Sequence, residues 1–231
     1  MKIVFLDRST LGSDIRLDAF DEFGEVVIYE TTTAKETLKR VKDADIVITN
    51  KVVIDSSIMD KSSIKLICVA ATGTNNIDLK HAASKKIEVK NVAGYSTASV
   101  SQLTFSLVLH FMQKLDYYDN YVREGNWEKS PIFTNLDVPF HELHNKKWGI
   151  IGLGDIGKNV ANIATSFGCK VSYYSTSGDN FDTDYIRIGF DELLSTSDII
   201  SIHCPLNETT TNLIGTSELL LMKDKIILLN L

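Results

Sequence analysis

The stretch that decides the fold runs from residue 148 to residue 174 and reads WGIIGLGDIGKNVANIATSFGCKVSYY. It contains the pattern G-x-G-x-x-G, formed by Gly152, Gly154 and Gly157, between a strand-like apolar run and a helical pattern. In that context the first glycine permits a tight turn, the second lets the backbone approach a pyrophosphate, and the third lets helix and strand pack closely. The stretch therefore predicts a strand, turn and helix that hold a dinucleotide by its pyrophosphate.

The helix after the glycines supports this interpretation. Its apolar residues recur at three- and four-residue steps, and Gly168 lies where a glycine often ends a helix. Two alternatives stay open, namely a glycine turn of structural use only and a methyl-donor cofactor in a similar fold.

The residue that should meet the adenosine ribose is unusual. An acidic residue about 20 positions after the glycines usually binds the ribose hydroxyls, and Ser175 stands there instead. Thr176 and Ser177 could bond a hydroxyl or a phosphate. Arg187 is distant in sequence, although the fold could bring it closer. We expect NAD as the cofactor, with NADP possible, a modest preference for NADH, and a sharper one after Ser175→Asp.

The chain alternates short β-branched strands with helical stretches, which predicts an α/β fold with two doubly wound parallel sheets. Strands are predicted at residues 2–7, 26–29, 45–49, 65–70, 88–92, 148–151, 170–174, 199–203 and 225–230. Helices are predicted at residues 13–20, 34–42, 56–61, 79–85, 98–121, 156–167, 191–196 and 216–222. A domain boundary near Tyr95 separates residues 1–95 from residues 96–231.

The middle of the chain predicts self-association. Residues 125–144 lack a clear period but carry several large apolar side chains, which need a surface to bury against. We interpret residues 117–147 as a dimer arm and expect a homodimer.

Composition excludes several other classes. A net charge of −6 without a lysine or arginine cluster argues against nucleic-acid binding. No apolar run is long enough for a membrane span or a signal peptide, so we expect a cytoplasmic protein that does not bind membranes. Cys68, Cys169 and Cys204 are scattered, odd in number and unsuited to a disulfide framework or a zinc site, and no metal site is predicted.

Three further stretches carry a resemblance to a known family. They are AATGTNNID at residues 70–78, NVAGYST at residues 91–97 and HCPL at residues 203–206. With the glycine motif in this order, the chain resembles the D-2-hydroxyacid dehydrogenases, in particular their glycerate dehydrogenase (hydroxypyruvate reductase) branch. The resemblance implies a flavodoxin-like substrate domain at residues 1–95, followed by a Rossmann NAD(P)-binding domain at residues 96–231.

The resemblance also assigns roles to individual residues. It implies hydride transfer between NAD(P)H and a small 2-oxo acid such as hydroxypyruvate or glyoxylate. Thr72 and Gly73 should face the substrate carboxylate, and Tyr95 should line the cleft that receives the nicotinamide. The cofactor positions implied by the family are Thr97, Asp155, Ile156, Cys204, Pro205, Thr210, Asn230 and Leu231, in addition to the three glycines and Ser175.

The family's catalytic arginine, glutamate and histidine have no counterparts in this sequence. We therefore expect a C-terminally truncated chain with an incomplete Rossmann domain, no catalytic residues and no activity of its own. The alternative is a non-catalytic dinucleotide sensor or interaction protein.

Overall fold

The computed structural model describes residues 1–182 and 184–231. The chain divides into two compact units, Met1–Tyr95 and Ser96–Leu231. Each unit contains a five-stranded sheet whose neighbouring strands are all parallel. The α/β fold with two parallel sheets that the sequence predicts is confirmed.

The first unit has the strand order of flavodoxin-like proteins, β2-β1-β3-β4-β5. Its strands are β1 (Lys2–Phe5), β2 (Glu25–Ile28), β3 (Ile46–Thr49), β4 (Leu66–Val69) and β5 (Glu88–Asn91). Its helices are α1 (Ala34–Val41), α2 (Ser56–Asp60) and α3 (Leu79–Ser84). Both faces of the central strands are covered, so Val4 and Val47 are fully buried.

A buried carboxylate at the end of β1 binds the loop that follows β3 in the first unit. Asp7 accepts the backbone N–H groups of Asn50, Lys51 and Val52 and the hydroxyl of Thr49. Its side chain therefore pins the loop after β3 beside the end of β1. This is the point where the strand order reverses, and such points are common ligand sites in open α/β sheets.

The predicted helix at residues 13–20 is wrong. The structure has two short 3-10 helices instead, Arg8–Thr10 and Asp18–Phe23. The guanidinium of Arg8 donates to the carbonyl oxygens of Leu11, Gly12 and Ile15 at 3.2, 3.1 and 3.0 Å. These bonds hold the segment in turns and use carbonyls that an α-helix would need for its own backbone.

The second unit has the strand order β8-β7-β6-β9-β10, which is the usual dinucleotide-binding order 3-2-1-4-5. Its strands are β6 (Lys147–Ile151), β7 (Lys170–Tyr174), β8 (Ile186–Arg187), β9 (Ile199–Ile202) and β10 (Ile227–Asn230). Its helices are α4 (Thr97–Gln113), α5 (Leu115–Arg123), α6 (Asn126–Lys129), α7 (Asp155–Ser166), α8 (Phe190–Thr196) and α9 (Thr216–Leu221).

The core of the second unit forms around Trp148 on β6. Its indole is fully buried, its N–H donates to the hydroxyl of Ser201 at 2.9 Å, and its ring lies 4.9 Å from that of Phe105. Helix α4 thus packs on the same side of the sheet as α7, to whose core cluster Val160 and Ala164 belong. Gly168, with φ +80°, follows α7 in the left-handed conformation expected of a glycine stop.

Two local predictions in this unit differ from the structure. The single helix predicted at residues 98–121 is two helices, because Lys114 adopts a left-handed conformation with φ +54°. The end of α4 is instead bonded to a later segment, since Met112 O accepts the N–H of His141 and Gln113 donates to His141 O. The two-residue strand β8 was not predicted, because so short a strand has no readable period.

In the part of the chain that the structure describes, no helix is both long and apolar enough to cross a membrane.

Candidate dinucleotide-binding site

The glycine turn joins β6 to α7, and two of its glycines are required by packing. Gly152 has φ +92°, and a Cβ at this position would lie 2.7 Å from the backbone nitrogen of Cys204. A Cβ at Gly157 would lie 2.2 Å from the carbonyl oxygen of Gly152. Neither backbone atom can move without displacing a strand end, so only glycine fits at both positions.

Gly154 is required by neither packing nor backbone strain. Its φ is −82°, and a Cβ built on it would meet no described atom within 4 Å. It is the N-cap of α7, whose first N–H groups have no carbonyl of a preceding turn to bond. An open space beside unpaired N–H groups and the positive end of a helix dipole suits a pyrophosphate. The residues of the turn therefore fit a dinucleotide.

The turn lies where the strand order of the second sheet reverses, between β6 and β9. His203 follows β9 there, with its N–H bonded to Ile151 O at 2.8 Å. Its ring atom Nε2 is buried and has no hydrogen-bond partner among residues 1–182 and 184–231. Burial lowers the pKa of His203 to about 4, so the ring is neutral at pH 7. An unpaired polar atom beside the turn also fits a bound ligand.

The segment after β9 contains three of the predicted cofactor residues. Cys204 abuts Gly152, and Pro205 is exposed next to it. Thr210 is buried, and its hydroxyl donates to Pro205 O at 2.6 Å and accepts the N–H of Asn207 at 2.9 Å. The hydroxyl of Thr210 thus closes the loop that carries Pro205, and any contact with adenosine stays a prediction.

Ser175 follows β7 directly, but its side chain is only 4% exposed. Its hydroxyl accepts the N–H of Asn180 at 3.4 Å, and the Asn180 amide donates to the carbonyl of Leu153 in the glycine turn. The loop after β7 therefore folds over Ser175 and is anchored to the turn. The role of Ser175 in ribose binding stays a prediction.

The sequence leaves open whether the fold brings Arg187 near the site, and the structure brings it to this loop. Arg187 pairs with Tyr173 in the β7–β8 ladder, and its Nη1 donates to Gly178 O at 2.8 Å. No signal in the sequence could have found this contact, because it depends on the register of a two-residue strand.

Other cofactor positions lie at element ends in the second unit. Thr97 begins α4, Asp155 and Ile156 begin α7, and Asn230 ends β10 beside Ile202. Leu231 follows Asn230 and is 42% exposed.

The predicted substrate residues lie in the first unit. The hydroxyl of Thr72 donates to Val92 O at 3.1 Å, and the Asn91 amide donates to Thr72 O at 2.6 Å. The loop after β4 is thus tied to the segment after β5. Gly73 and Tyr95 are exposed, Tyr95 by 63%.

Among the residues that the structure describes, no three His, Cys, Asp or Glu side chains are grouped so as to hold a metal ion.

The strand order and the glycine turn define a protein of the Rossmann class that binds NAD or NADP. Residues 105–231 match the family model of the D-isomer specific 2-hydroxyacid dehydrogenase NAD binding domain. This chain belongs to the D-2-hydroxyacid dehydrogenase family, and the resemblance seen in its motifs is confirmed. The family consists of NAD(P)-dependent oxidoreductases.

Individual relatives agree with this assignment. The chain is 37% identical to hydroxypyruvate reductase of Blautia hydrogenotrophica over 239 residues, covering 100% of this chain and 74% of the relative. Two solved structures are similar over nearly the whole chain. An acyclic imino acid reductase (Bsp5) in complex with NADPH and D-Arg is 27% identical, with a TM-score of 0.86 over 100% of this chain and 74% of that one. D-lactate dehydrogenase of Aquifex aeolicus, complexed with NAD and lactic acid, is 26% identical, with a TM-score of 0.84 over 99% of this chain and 68% of that one.

Proposed function

We propose that this chain belongs to a reductase that transfers hydride from NAD(P)H to a small 2-oxo acid such as hydroxypyruvate or glyoxylate. The observation that carries the proposal is the open backbone at Gly154, at the start of α7 and at the reversal of strand order. A dinucleotide would bring the hydride donor, and the family supplies the class of substrate. The name of the Blautia relative supports hydroxypyruvate.

The residues of the chain take distinct roles in this proposal. N–H groups at Asp155 and Ile156 hold the pyrophosphate, and the segment from Cys204 to Pro205 lies along the adenosine side. In the first unit, backbone N–H groups at Thr72 and Gly73 bind the substrate carboxylate. The hydrogen bonds that Thr72 makes to its neighbours would keep these groups oriented.

Proton transfer requires a further group. Hydride addition to the carbonyl carbon leaves an alkoxide, and a positioned acid contributes roughly 10²- to 10⁴-fold to such a step. His203 is neutral at pH 7 and is a poor proton donor there because its pKa is about 4. We propose that residues 1–231 on their own bind the dinucleotide but do not turn over.

We expect a polypeptide of residues 1–231 to bind NADH with micromolar affinity in calorimetry and to oxidise it with hydroxypyruvate at no more than background rate. A chimera that adds the part of the Blautia relative outside the matched region should gain turnover with hydroxypyruvate or glyoxylate. Turnover by residues 1–231 alone would contradict the proposed inactivity. A folded chimera that reduces no 2-oxo acid would contradict the proposed substrate class.

A second function, a non-catalytic dinucleotide sensor, is favoured by the same intact glycine turn beside a histidine that is neutral at pH 7. Binding of NADH without turnover by the chimera would support it. Failure of a folded chain to bind either NADH or NADPH would exclude both functions.

We further propose a homodimer, because the segment after α5 exposes large apolar side chains. Phe133 is 94% exposed, Leu136 78% and Ile132 58%. Monomers seldom leave such a cluster in water.

Light scattering should give twice the monomer mass, and the double variant Phe133→Glu with Leu136→Glu should be monomeric. Leu220→Glu is the control, since Leu220 is 81% exposed on α9, outside this segment. A monomeric native chain at micromolar concentration would contradict the proposal.

A further inference from the structure

The loop after β7 carries an arginine that the fold, rather than the sequence order, places there. Arg187 donates from Nη1 to Gly178 O at 2.8 Å, and its guanidinium carbon lies 4.8 Å above the ring of Phe181. The side chain is thus held at its far end while the residue stays exposed. Only one of its five N–H groups is used in this bond, so the guanidinium can still bind an anion.

This loop follows the second strand of the dinucleotide-binding order. In such units the residue at the end of that strand meets the ribose 2′-hydroxyl, and a nearby arginine accommodates a 2′-phosphate. Here the residue directly after the strand is Ser175, which is buried and has no charge. The carboxylate that would repel a 2′-phosphate is therefore absent from this position, and Arg187 faces the loop that follows it.

The charges around the loop decide whether an anion is tolerated. Asp182 is neutralised by Lys158, whose Nζ lies 3.1 Å from Oδ2. The pKa of Asp182 is lowered, most by the hydrogen bond from the N–H of Asp184 and next by the one from Lys158. The carboxylate therefore stays ionised and the ion pair stays intact. Asp179 is exposed and follows Gly178 directly, so it opposes an incoming phosphate. Removing its charge should strengthen phosphate binding.

We propose that Arg187 recognises the 2′-phosphate of NADPH and that the chain consequently binds NADPH more tightly than NADH. The inference rests on the proposed function of the second unit as the dinucleotide site. It revises the modest NADH preference expected from the sequence, in which Arg187 is distant along the chain and could approach only through the fold.

The test is a set of dissociation constants for NADPH and NADH, measured by calorimetry or by nucleotide fluorescence on residues 1–231. Arg187→Met keeps an unbranched apolar side chain over Phe181 and removes the charge. We expect it to weaken NADPH binding roughly 10- to 100-fold, as lost hydrogen bonds between charged groups do, and to change NADH binding less than about 2-fold. Arg187→Lys should retain part of the NADPH affinity.

Two controls separate recognition from folding and from general charge. Arg123→Met removes an exposed arginine on α5 that is paired with Asp119, and it should leave both constants unchanged. Competition by 2′,5′-ADP and 5′-AMP, which differ only in the 2′-phosphate, should show the same dependence on Arg187. Asp179→Asn should tighten NADPH binding alone.

The outcomes are distinguishable. A native preference for NADH, or an unchanged NADPH constant in Arg187→Met, would overturn the role of Arg187 and leave the proposed function standing. Equal losses of affinity for NADH and NADPH in Arg187→Met would also overturn it, because a purely structural role of Arg187 would then explain the result. Failure of the folded native chain to bind either nucleotide would overturn the proposed function instead.

Discussion

Gly154→Val is expected to abolish binding of NADH and NADPH while the protein stays folded. A Cβ at this position meets no described atom within 4 Å, and the residue has φ −82°, which any amino acid adopts. The added side chain would instead occupy the space in front of the N–H groups of α7. Loss of two charge-assisted hydrogen bonds to a pyrophosphate corresponds to roughly 100-fold or more in affinity.

The measurement is nucleotide titration together with urea unfolding. Valine is a poorer N-cap than glycine, so a loss of stability of up to about 1 kcal/mol is expected from the helix end alone. Gly154→Ala should give an intermediate loss of affinity, because its side chain is smaller. Native-like NADH binding by Gly154→Val would mean that the pyrophosphate does not lie at this turn.

Gly152→Ala should have the opposite signature, a large loss of stability. A left-handed conformation costs a residue with a Cβ about 1–2 kcal/mol. The Cβ would also lie 2.7 Å from the nitrogen and 2.8 Å from the Cα of Cys204, and overpacking of this kind costs about 1–3 kcal/mol. Together these terms predict a destabilisation of roughly 2–5 kcal/mol.

Chemical denaturation of the second unit, followed by the fluorescence of its buried Trp148, would measure this loss. Gly189→Ala is the control, since Gly189 has φ −66° and a Cβ there meets no described atom within 4 Å. Gly152→Ala with native stability would show that the contact with Cys204 relaxes freely. Comparison of Gly154→Val with Gly152→Ala would then no longer distinguish a glycine needed for binding from one needed for packing.

The different surroundings of these glycines show which features of the site the motif predicts and which it does not. The pattern G-x-G-x-x-G predicts a separate role for each glycine, and the order of strand, turn and helix around them is as the sequence predicts. The structure adds the atoms involved, since a Cβ would meet Cys204 at Gly152 and the oxygen of Gly152 at Gly157, and would face open space at Gly154. The contact at Gly152 depends on where β9 ends, and it joins segments about 50 residues apart in sequence.

The sequence by itself determined the parts of this protein that depend on local periodicity. Continuous apolar runs predicted nine strands close to their observed positions, since strands buried on both faces carry no polar alternation. The glycine motif favoured a dinucleotide cofactor, because the turn geometry and the helix start are encoded within one short stretch. The family followed from motifs in their order and is shown by the relatives.

Tertiary structure decided what depends on contacts between distant segments. Bonds from Arg8 to three carbonyl oxygens accompany the turns found in place of a helix at residues 13–20. The bond from His141 to the end of α4 accompanies a break at Lys114 that no propensity indicates. The loop that Asn180 anchors covers Ser175, and the approach of Arg187 to Gly178 follows from the register of β7 and β8. A side chain's partners across a sheet are set by strand pairing, and strand pairing cannot be read from one strand alone.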